Sequence, residues 1–182
     1  MKSSYLNNLN YGDIFKTLIF MVNPSNIVEI GILDGFSLKT FADNAPNNCI
    51  IKAYDIFEEF NGNSANKETL QNDFQKYDNI TVDYGDFYKL CNTIQDTSID
   101  ILHIDIANNG DVFEYAINNY TKKLKNNGII ILEGGSEERD NIEWMNKYNK
   151  PKIKPIIEKY KSIFNIKVIG KMPSLTIIHI SK

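Results

Sequence analysis

Apolar, β-rich runs alternate regularly with amphipathic helical patterns along most of the chain. Strands joined through helices lie parallel in one sheet, because each helix carries the chain back across it. The run at 128–135 is apolar almost throughout, which is typical of a strand buried on both faces. The pattern predicts an α/β fold with helices on both faces of a parallel sheet. Strands are predicted at 26–32, 49–57, 79–86, 98–106 and 128–135, and helices at 37–45, 64–77, 110–125 and 136–150.

The end of the chain departs from this alternation. Two further strands are predicted at 164–170 and 174–181, and only a few residues around Met172 and Pro173 join them. A connection this short has no room for a crossover helix, so the two strands are expected to pair antiparallel. The full prediction is a Rossmann-like, seven-stranded, mostly parallel sheet with an antiparallel C-terminal strand. This ending separates the chain from a dinucleotide-binding Rossmann domain.

Length and composition favour one globular domain. The 182 residues show no internal repeat or linker, so a single domain is predicted over 1–182, with a short helical N-terminal segment (1–25) before the core (26–182). A formal charge of −3 disfavours a nucleic-acid partner. No run reaches the roughly 18 apolar residues of a membrane span, and no signal-peptide core opens the chain. These features predict a cytoplasmic protein that binds neither nucleic acid nor membranes.

A glycine-containing turn follows the first predicted strand. Residues 29–37 read EIGILDGFS, an E-x-G-x-x-x-G-x-S pattern. Gly31 allows the chain to leave the strand sharply, and turns in this position lie near the ligand site of doubly wound sheets. The pattern lacks the second glycine of the dinucleotide motif G-x-G-x-x-G, which disfavours a pyrophosphate ligand. The alternative is an ordinary tight turn in which the glycines serve packing.

Acidic residues mark the ends of the next three strands. Asp55 ends the second strand, Asp86 follows the third and Asp105 ends the fourth. Ligands of such sheets bind beyond the carboxyl ends of the strands, so these acids are expected near the glycine turn. A carboxylate at the end of an apolar strand is costly without a partner, which makes Asp105 a candidate functional group. For Asp86, a plain helix cap in front of Phe87 is an equally good explanation.

Together the turn, the acids and the antiparallel ending resemble the class I S-adenosylmethionine-dependent methyltransferases, over roughly residues 20 to 181. The resemblance implies that the turn passes under the methionine and ribose parts of S-adenosylmethionine. It also implies that Asp55 accepts hydrogen bonds from the ribose hydroxyls and that Asp86 and Phe87 contact the adenine. The implied cofactor-binding residues are Glu29, Gly31, Gly35, Ser37, Asp55, Asp86, Phe87 and Asp105.

Within that family, residues 102–135 look most like small-molecule O-methyltransferases. The predicted activity is therefore methyl transfer to an oxygen of a small molecule or sugar-like metabolite. Asp105, Glu133 and His103 are the catalytic candidates, since such groups can take the proton of an acceptor hydroxyl. A buried core histidine is the alternative for His103. In metal-dependent members an Asp ends the fourth strand and an Asp-Asn pair follows the fifth. Mg²⁺ bound by Asp105 and Glu133 is thus one alternative, although Gly134 replaces the third ligand.

Two other functions remain open from the sequence. One is a nicotinamide-dependent oxidoreductase, and the other is a non-catalytic module that binds the cofactor and acts through a partner. The short N-terminal region leaves little chain to close over an acceptor, which favours a homodimer. Arg139 lies in the first turn of a predicted helix, where a positive charge is disfavoured. It is therefore expected to pair with an acid, such as Asp140, Glu133 or an acidic substrate.

Overall fold

A computed structural model of the chain describes residues 11–61 and 63–181. Its centre is one seven-stranded sheet in the order β3-β2-β1-β4-β5-β7-β6. The first five strands pair in parallel, whereas β7 runs antiparallel to both β5 and β6. The predicted fold class is confirmed. The strands are β1 Asn26–Ile30, β2 Ile50–Asp55, β3 Ile80–Tyr84, β4 Ile99–Ile104, β5 Leu124–Glu133, β6 Asn165–Gly170 and β7 Ser174–His179.

Helices cover both faces of the sheet, as the alternating side chains of its strands require. Ile27 of β1 and Ile101 of β4 belong to a core with α1, α2 and α3, and Val28 and Leu102 belong to a second core with α4, α5 and α8. Two apolar layers therefore hold the central strands from opposite sides. The helices are α1 Tyr11–Val22, α2 Phe36–Asn44, α3 Lys67–Phe74, α4 Phe87–Leu90, α5 Gly110–Tyr120, α6 Glu137–Asp140, α7 Glu143–Lys147 and α8 Ile153–Tyr160.

The predicted helix at 110–125 is too long. α5 ends at Tyr120, a short 3-10 helix follows, and β5 begins at Leu124 rather than at residue 128. Leu124 is fully buried and pairs with Ile99 at the start of β4. The free energy gained by burying Leu124 outweighs the helical preference of the preceding lysines. Burial of an apolar side chain contributes more free energy than the small differences in helix propensity.

The predicted single helix at 136–150 is also wrong, because the segment forms the two short helices α6 and α7. The carboxylate of Asp140 accepts hydrogen bonds of 2.8 Å from the backbone N–H groups of Ile153 and Lys154. It thus caps the start of α8, where these groups have no partner within the helix. Ile142 is extended (φ −64°, ψ 154°), which breaks the helix after Asn141. Asp140 therefore ties the segment after β5 to α8.

Strand order determines where the site lies. β1 is flanked by β2 on one side and β4 on the other. The chain therefore builds the sheet first on one side of β1, with β2 and β3, and then on its other side, with β4 and β5. Ligands of open α/β sheets bind at the carboxyl ends of strands at such a switch point. None of the helices in the described ranges is long and apolar enough to cross a bilayer.

Candidate functional site

A cavity of about 640 Å³ opens at the carboxyl ends of the parallel strands. Residues from four segments line it: 30–33 after β1, 55–63 after β2, 85–88 after β3 and 105–109 after β4. Val112 of α5 and Lys150 complete the wall. The glycine turn and the acids that follow three different strands are thus brought together, as the sequence predicts.

Gly31 is needed because the turn lies directly against the end of β4. Its φ of +91° is left-handed, and a Cβ atom there would overlap the carbonyl oxygen of Asp105. The Gly31 N–H donates to Tyr54 O at 2.8 Å, and the Asp105 N–H donates to Ile30 O at 3.0 Å. These bonds fix the first turn between β2 and β4. The absence of a side chain at Gly31 leaves the backbone exposed to a ligand at the cavity wall.

Gly35 lies at the start of α2 and packs against α3. Its φ is +79°, and a Cβ atom would lie 3.0 Å from the Phe74 ring and 3.2 Å from Leu70 Cδ2. Gly35 therefore lets α2 begin in close contact with α3. It does not line the cavity, so the packing alternative accounts for this glycine.

Asp55 lines the cavity and holds its wall in place. Its Oδ2 atom accepts a hydrogen bond from Ile32 N–H at 2.8 Å, within the glycine turn. Its Oδ1 atom accepts from Phe57 N–H and Asn63 Nδ2, each at 2.8 Å. A carboxylate has about four acceptor positions, so three donors leave room for one more. Asp55 thus joins the segments after β1 and β2 and retains acceptor capacity.

Asp86 caps a helix and also lies in the cavity wall. Asp86 Oδ1 accepts a hydrogen bond from Tyr88 N–H at 2.8 Å and so caps α4, and the residue also lines the cavity. Phe87 reaches the cavity from the second core, where its ring stacks on Tyr120 with centroids 5.3 Å apart. Burial, followed by the charges of Asp111 and Asp86, raises the pKa of Tyr88, so this wall residue stays neutral at physiological pH.

Glu29, Ser37 and His103 form a buried cluster beneath the turn. The Ser37 hydroxyl donates to Glu29 Oε1, and His103 Nδ1 lies 2.8 Å from the same oxygen. The rings of Phe15 and Phe41 pack on His103 with centroid separations of 5.3 and 5.6 Å. The three polar residues do not line the cavity. The geometry matches the core-histidine interpretation, with Glu29 anchoring the turn to α2.

Asp105 and Glu133 have different surroundings. Asp105 lines the cavity beside the glycine turn. Glu133 is 5% exposed and is bound by Arg139, which is 7% exposed. Arg139 Nε lies 2.8 Å from Glu133 Oε1, and Nη2 lies 2.9 Å from Oε2. The expected acidic partner of Arg139 is therefore Glu133.

These surroundings do not fit a divalent cation. Both oxygens of Glu133 are occupied by a guanidinium, and Gly134 supplies no side-chain ligand. Within residues 11–61 and 63–181, no group of three or more His, Cys, Asp and Glu side chains is arranged to hold a metal.

The cavity wall is acidic and partly apolar. Four carboxylates line it, from Asp55, Glu59, Asp86 and Asp105, whereas Lys150 is the one cation among its described lining residues. Such a wall suits a ligand with both positive charge and apolar surface. Several members of this wall were not predicted from the sequence, because their residue types carry no functional pattern and only the fold brings them to the cavity. These are Leu33, Ile56, Glu59, Phe60, Asn63, Tyr88, Asn109, Val112 and Lys150.

The glycine turn and the acidic cavity lie where ligands of open α/β sheets bind. A family model described as "Methyltransferase domain" matches residues 28–133, which is more than half of the chain. The chain therefore belongs to this family and is a class I S-adenosylmethionine-dependent methyltransferase. A comparison with curated proteins gave no significant match.

Solved structures show the same fold at low sequence identity. A methyltransferase from Geobacter sulfurreducens is 16% identical with a TM-score of 0.66, covering 97% of this chain and 80% of that one. An O-methyltransferase from Bacillus cereus in complex with SAH is 17% identical with a TM-score of 0.68, covering 97% and 84%. TomG from Streptomyces achromogenes, an O-methyltransferase of tomaymycin synthesis in complex with SAM, is 13% identical with a TM-score of 0.68, covering 94% and 80%.

Proposed function

We propose that this enzyme transfers the methyl group of S-adenosylmethionine to a hydroxyl oxygen of a small molecule. The observation that carries the proposal is the position of Asp105, a carboxylate in the cavity wall against the glycine turn. The cofactor supplies an activated methyl group on a sulfonium. The acidic wall favours that positive charge and lowers the cost of removing it from water.

The residues of the wall suit the three parts of the cofactor. Asp55 keeps one free acceptor position for the ribose hydroxyls after its three internal hydrogen bonds. Asp86 and Phe87 offer an acceptor and an apolar surface to the adenine. The backbone at Gly31, without a side chain, is the surface for the methionine part. The Glu29 cluster acts beneath this surface by holding α2 against β1.

Asp105 is the proposed general base. An acceptor hydroxyl becomes a better nucleophile as it loses its proton during attack on the methyl group. Asp105 can accept that proton because it lies at the cavity wall, whereas Glu133 is neutralised by Arg139. His103 is enclosed by aromatic rings outside the cavity and is therefore assigned to positioning of Glu29 rather than to proton transfer.

The oxygen specificity and the small size of the acceptor rest on likeness to solved structures. Two of the structures named above are O-methyltransferases, one bound to SAH and one to SAM. The remaining volume beside the cofactor site must hold the acceptor, and much of the 640 Å³ cavity is needed by the cofactor itself. A small molecule fits this limit better than a macromolecule.

A homodimer and a cytoplasmic location belong to the same proposal. Phe20 and Met21 at the end of α1 are 86% and 74% exposed, which is unusual for large apolar side chains and supports a subunit contact. Light scattering after size exclusion measures the mass directly. A monomer with full activity would contradict the homodimer.

An acceptor screen with methyl-labelled S-adenosylmethionine tests the proposed reaction. Hydroxyl-bearing small molecules are offered together with matched amine and thiol analogues. We expect label on oxygen only, and a fall in kcat of about 10²- to 10⁴-fold in Asp105→Asn with little change in cofactor affinity. Asp83→Asn serves as the control, since Asp83 is an exposed acid outside the cavity. Label on nitrogen or sulfur, or full activity of Asp105→Asn, would contradict the proposal.

A further inference from the structure

The end of β5 differs from the pattern of metal-dependent O-methyltransferases in its ligands and in its charge, since Glu133 and Gly134 stand where that pattern has an Asp-Asn pair. The acid there is retained as Glu133, but a guanidinium is bound to it. The register of β4 and β5 pairs Ile104 with Leu132, so its continuation by one residue places Asp105 beside Glu133. Asp105 and Glu133 thus follow neighbouring strands at the carboxyl ends of the sheet, and Arg139 provides a positive charge beside Glu133.

The partner of Glu133 is an arginine rather than a lysine. Arg139 is the only arginine in the sequence, whereas lysine occurs 19 times. Arginine binds a carboxylate with two parallel N–H groups, and lysine does not. Arg139 uses this geometry on Glu133, with Nε 2.8 Å and Nη2 2.9 Å from the two oxygens. A chain that uses lysine almost everywhere else has its single arginine where bidentate pairing is needed.

Further contacts hold the guanidinium in place. Arg139 Nη2 donates to the backbone oxygen of Asn108 at 3.3 Å, within the segment that lines the cavity after β4. Its Cζ atom lies 6.0 Å from the centre of the Trp144 ring. The Arg139 N–H donates to Ser136 Oγ at 3.0 Å and fixes the start of α6. Arg139 therefore joins the segments after β4 and β5.

A divalent cation that bound Glu133 would have to break the ion pair between Glu133 and Arg139. Binding at Glu133 would free a guanidinium that is 93% buried, and a buried charge without its partner is strongly unfavourable. The next ligand position is Gly134, which has no side chain. The cost of removing Arg139 is thus not offset by a complete ligand set, since Mg²⁺ sites rely on several oxygen donors.

We infer that Arg139 is a built-in cation at the position of a divalent metal, so that methyl transfer by this enzyme is metal-independent. Arg139 acts as a positioning residue: it neutralises Glu133 and holds the Asp105–Asn109 wall through Asn108. The inference rests on the proposed O-methyl transfer at this cavity. It assigns the chain to a metal-free reaction in which Asp105, and not Glu133, is the carboxylate that acts on the acceptor.

Manganese binding tests the inference with a matched pair of variants. Arg139→Met removes the charge and keeps much of the length, whereas Arg139→Lys keeps the charge. The protein, saturated with S-adenosylhomocysteine, is titrated with Mn²⁺ and followed by electron paramagnetic resonance. Trp144 is the single tryptophan and lies beside Arg139, so quenching of its fluorescence by Mn²⁺ reports binding at this place.

We expect no stoichiometric Mn²⁺ binding and no Trp144 quenching in the wild type or Arg139→Lys. Arg139→Met should bind Mn²⁺ at least tenfold more tightly than the wild type, and its Tm should rise with Mn²⁺. The double variant Arg139→Met with Glu133→Gln should lose this gain. A purely structural role for Arg139 would not produce a charge-dependent gain of metal.

Two results would overturn the inference. One is Mn²⁺ binding by the wild type that disappears in Glu133→Gln, a measurement that needs no folded Arg139 variant. The other is a folded Arg139→Met that gains no Mn²⁺. Failure of the wild type to bind S-adenosylhomocysteine would instead contradict the proposed function, so the two failures are distinguishable.

Discussion

Replacement of Asp55 by asparagine tests the link between the cavity wall and cofactor binding. The carboxylate accepts three hydrogen bonds, from Ile32 N–H on one oxygen and from Phe57 N–H and Asn63 Nδ2 on the other. An asparagine has one oxygen and one NH₂ group in their place. Whichever way the amide turns, its NH₂ group faces a donor, so at least one hydrogen bond to a charged acceptor is lost.

The expected magnitude follows from these contacts. A hydrogen bond to a charged group contributes about 1.5–3 kcal/mol. We expect Asp55→Asn to lose roughly this amount of unfolding free energy. The substitution also removes a charged acceptor for the ribose hydroxyls and loosens the glycine turn, and both changes weaken cofactor binding. A loss of about 1.5–3 kcal/mol in binding corresponds to a Kd roughly 10 to 150 times higher.

Calorimetry with S-adenosylhomocysteine measures the change in Kd, and urea unfolding measures the change in stability. Asp83→Asn is the matched control, since Asp83 is an exposed acid on the neighbouring strand outside the cavity. Its effect on both quantities should stay within about 0.5 kcal/mol. A folded Asp55→Asn that binds S-adenosylhomocysteine within threefold of the wild type would refute this reasoning.

Two further predictions concern stability. Gly31→Ala should cost at least about 3 kcal/mol, because it adds a strained positive φ and a clash with a backbone carbonyl. Gly134→Ala has a similar φ, but the one close approach of its Cβ would be to the flexible end of Ile153 at 2.8 Å, so urea unfolding should show a smaller loss. Equal losses would contradict the steric argument. For Asp100, burial raises the pKa, but hydrogen bonds from Lys125 and Ser25 outweigh it and hold the pKa below its ordinary value. The stabilisation from this carboxylate should be fully present above about pH 4 and be lost as the pH falls through its folded pKa. The Tm advantage of the wild type over Asp100→Asn should therefore shrink as the pH is lowered below about 4, and an advantage that grows with acidification would contradict this assignment.

The fold was predictable from the sequence because its signals are local. Apolar runs, helical periodicity and the short connection before β7 each depend on neighbouring residues. The two helix predictions that were wrong failed because of contacts between residues that are distant in the sequence. Leu124 joins β5 because Ile99 lies opposite it, and α6 ends because Asp140 caps α8 from 13 residues away.

The candidate site was predictable only in part. Asp55, Asp86 and Asp105 follow strands, and strand ends share one edge of the sheet, so their proximity follows from topology. The pairing of Glu133 with Arg139 was one of several alternatives, since sequence spacing does not say which acid a guanidinium reaches. Lys150 enters the wall only because the segment after α7 folds back towards α5.

A crystal structure of the wild-type enzyme with S-adenosylhomocysteine would show whether the cavity is the cofactor site. One molecule is expected in the cavity, with its ribose hydroxyls within hydrogen-bonding distance of Asp55, its adenine beside Phe87 and its sulfur on the Asp105 side. A folded enzyme whose cavity stays without S-adenosylhomocysteine at saturating concentration, or holds it with the ribose away from Asp55, would contradict the account.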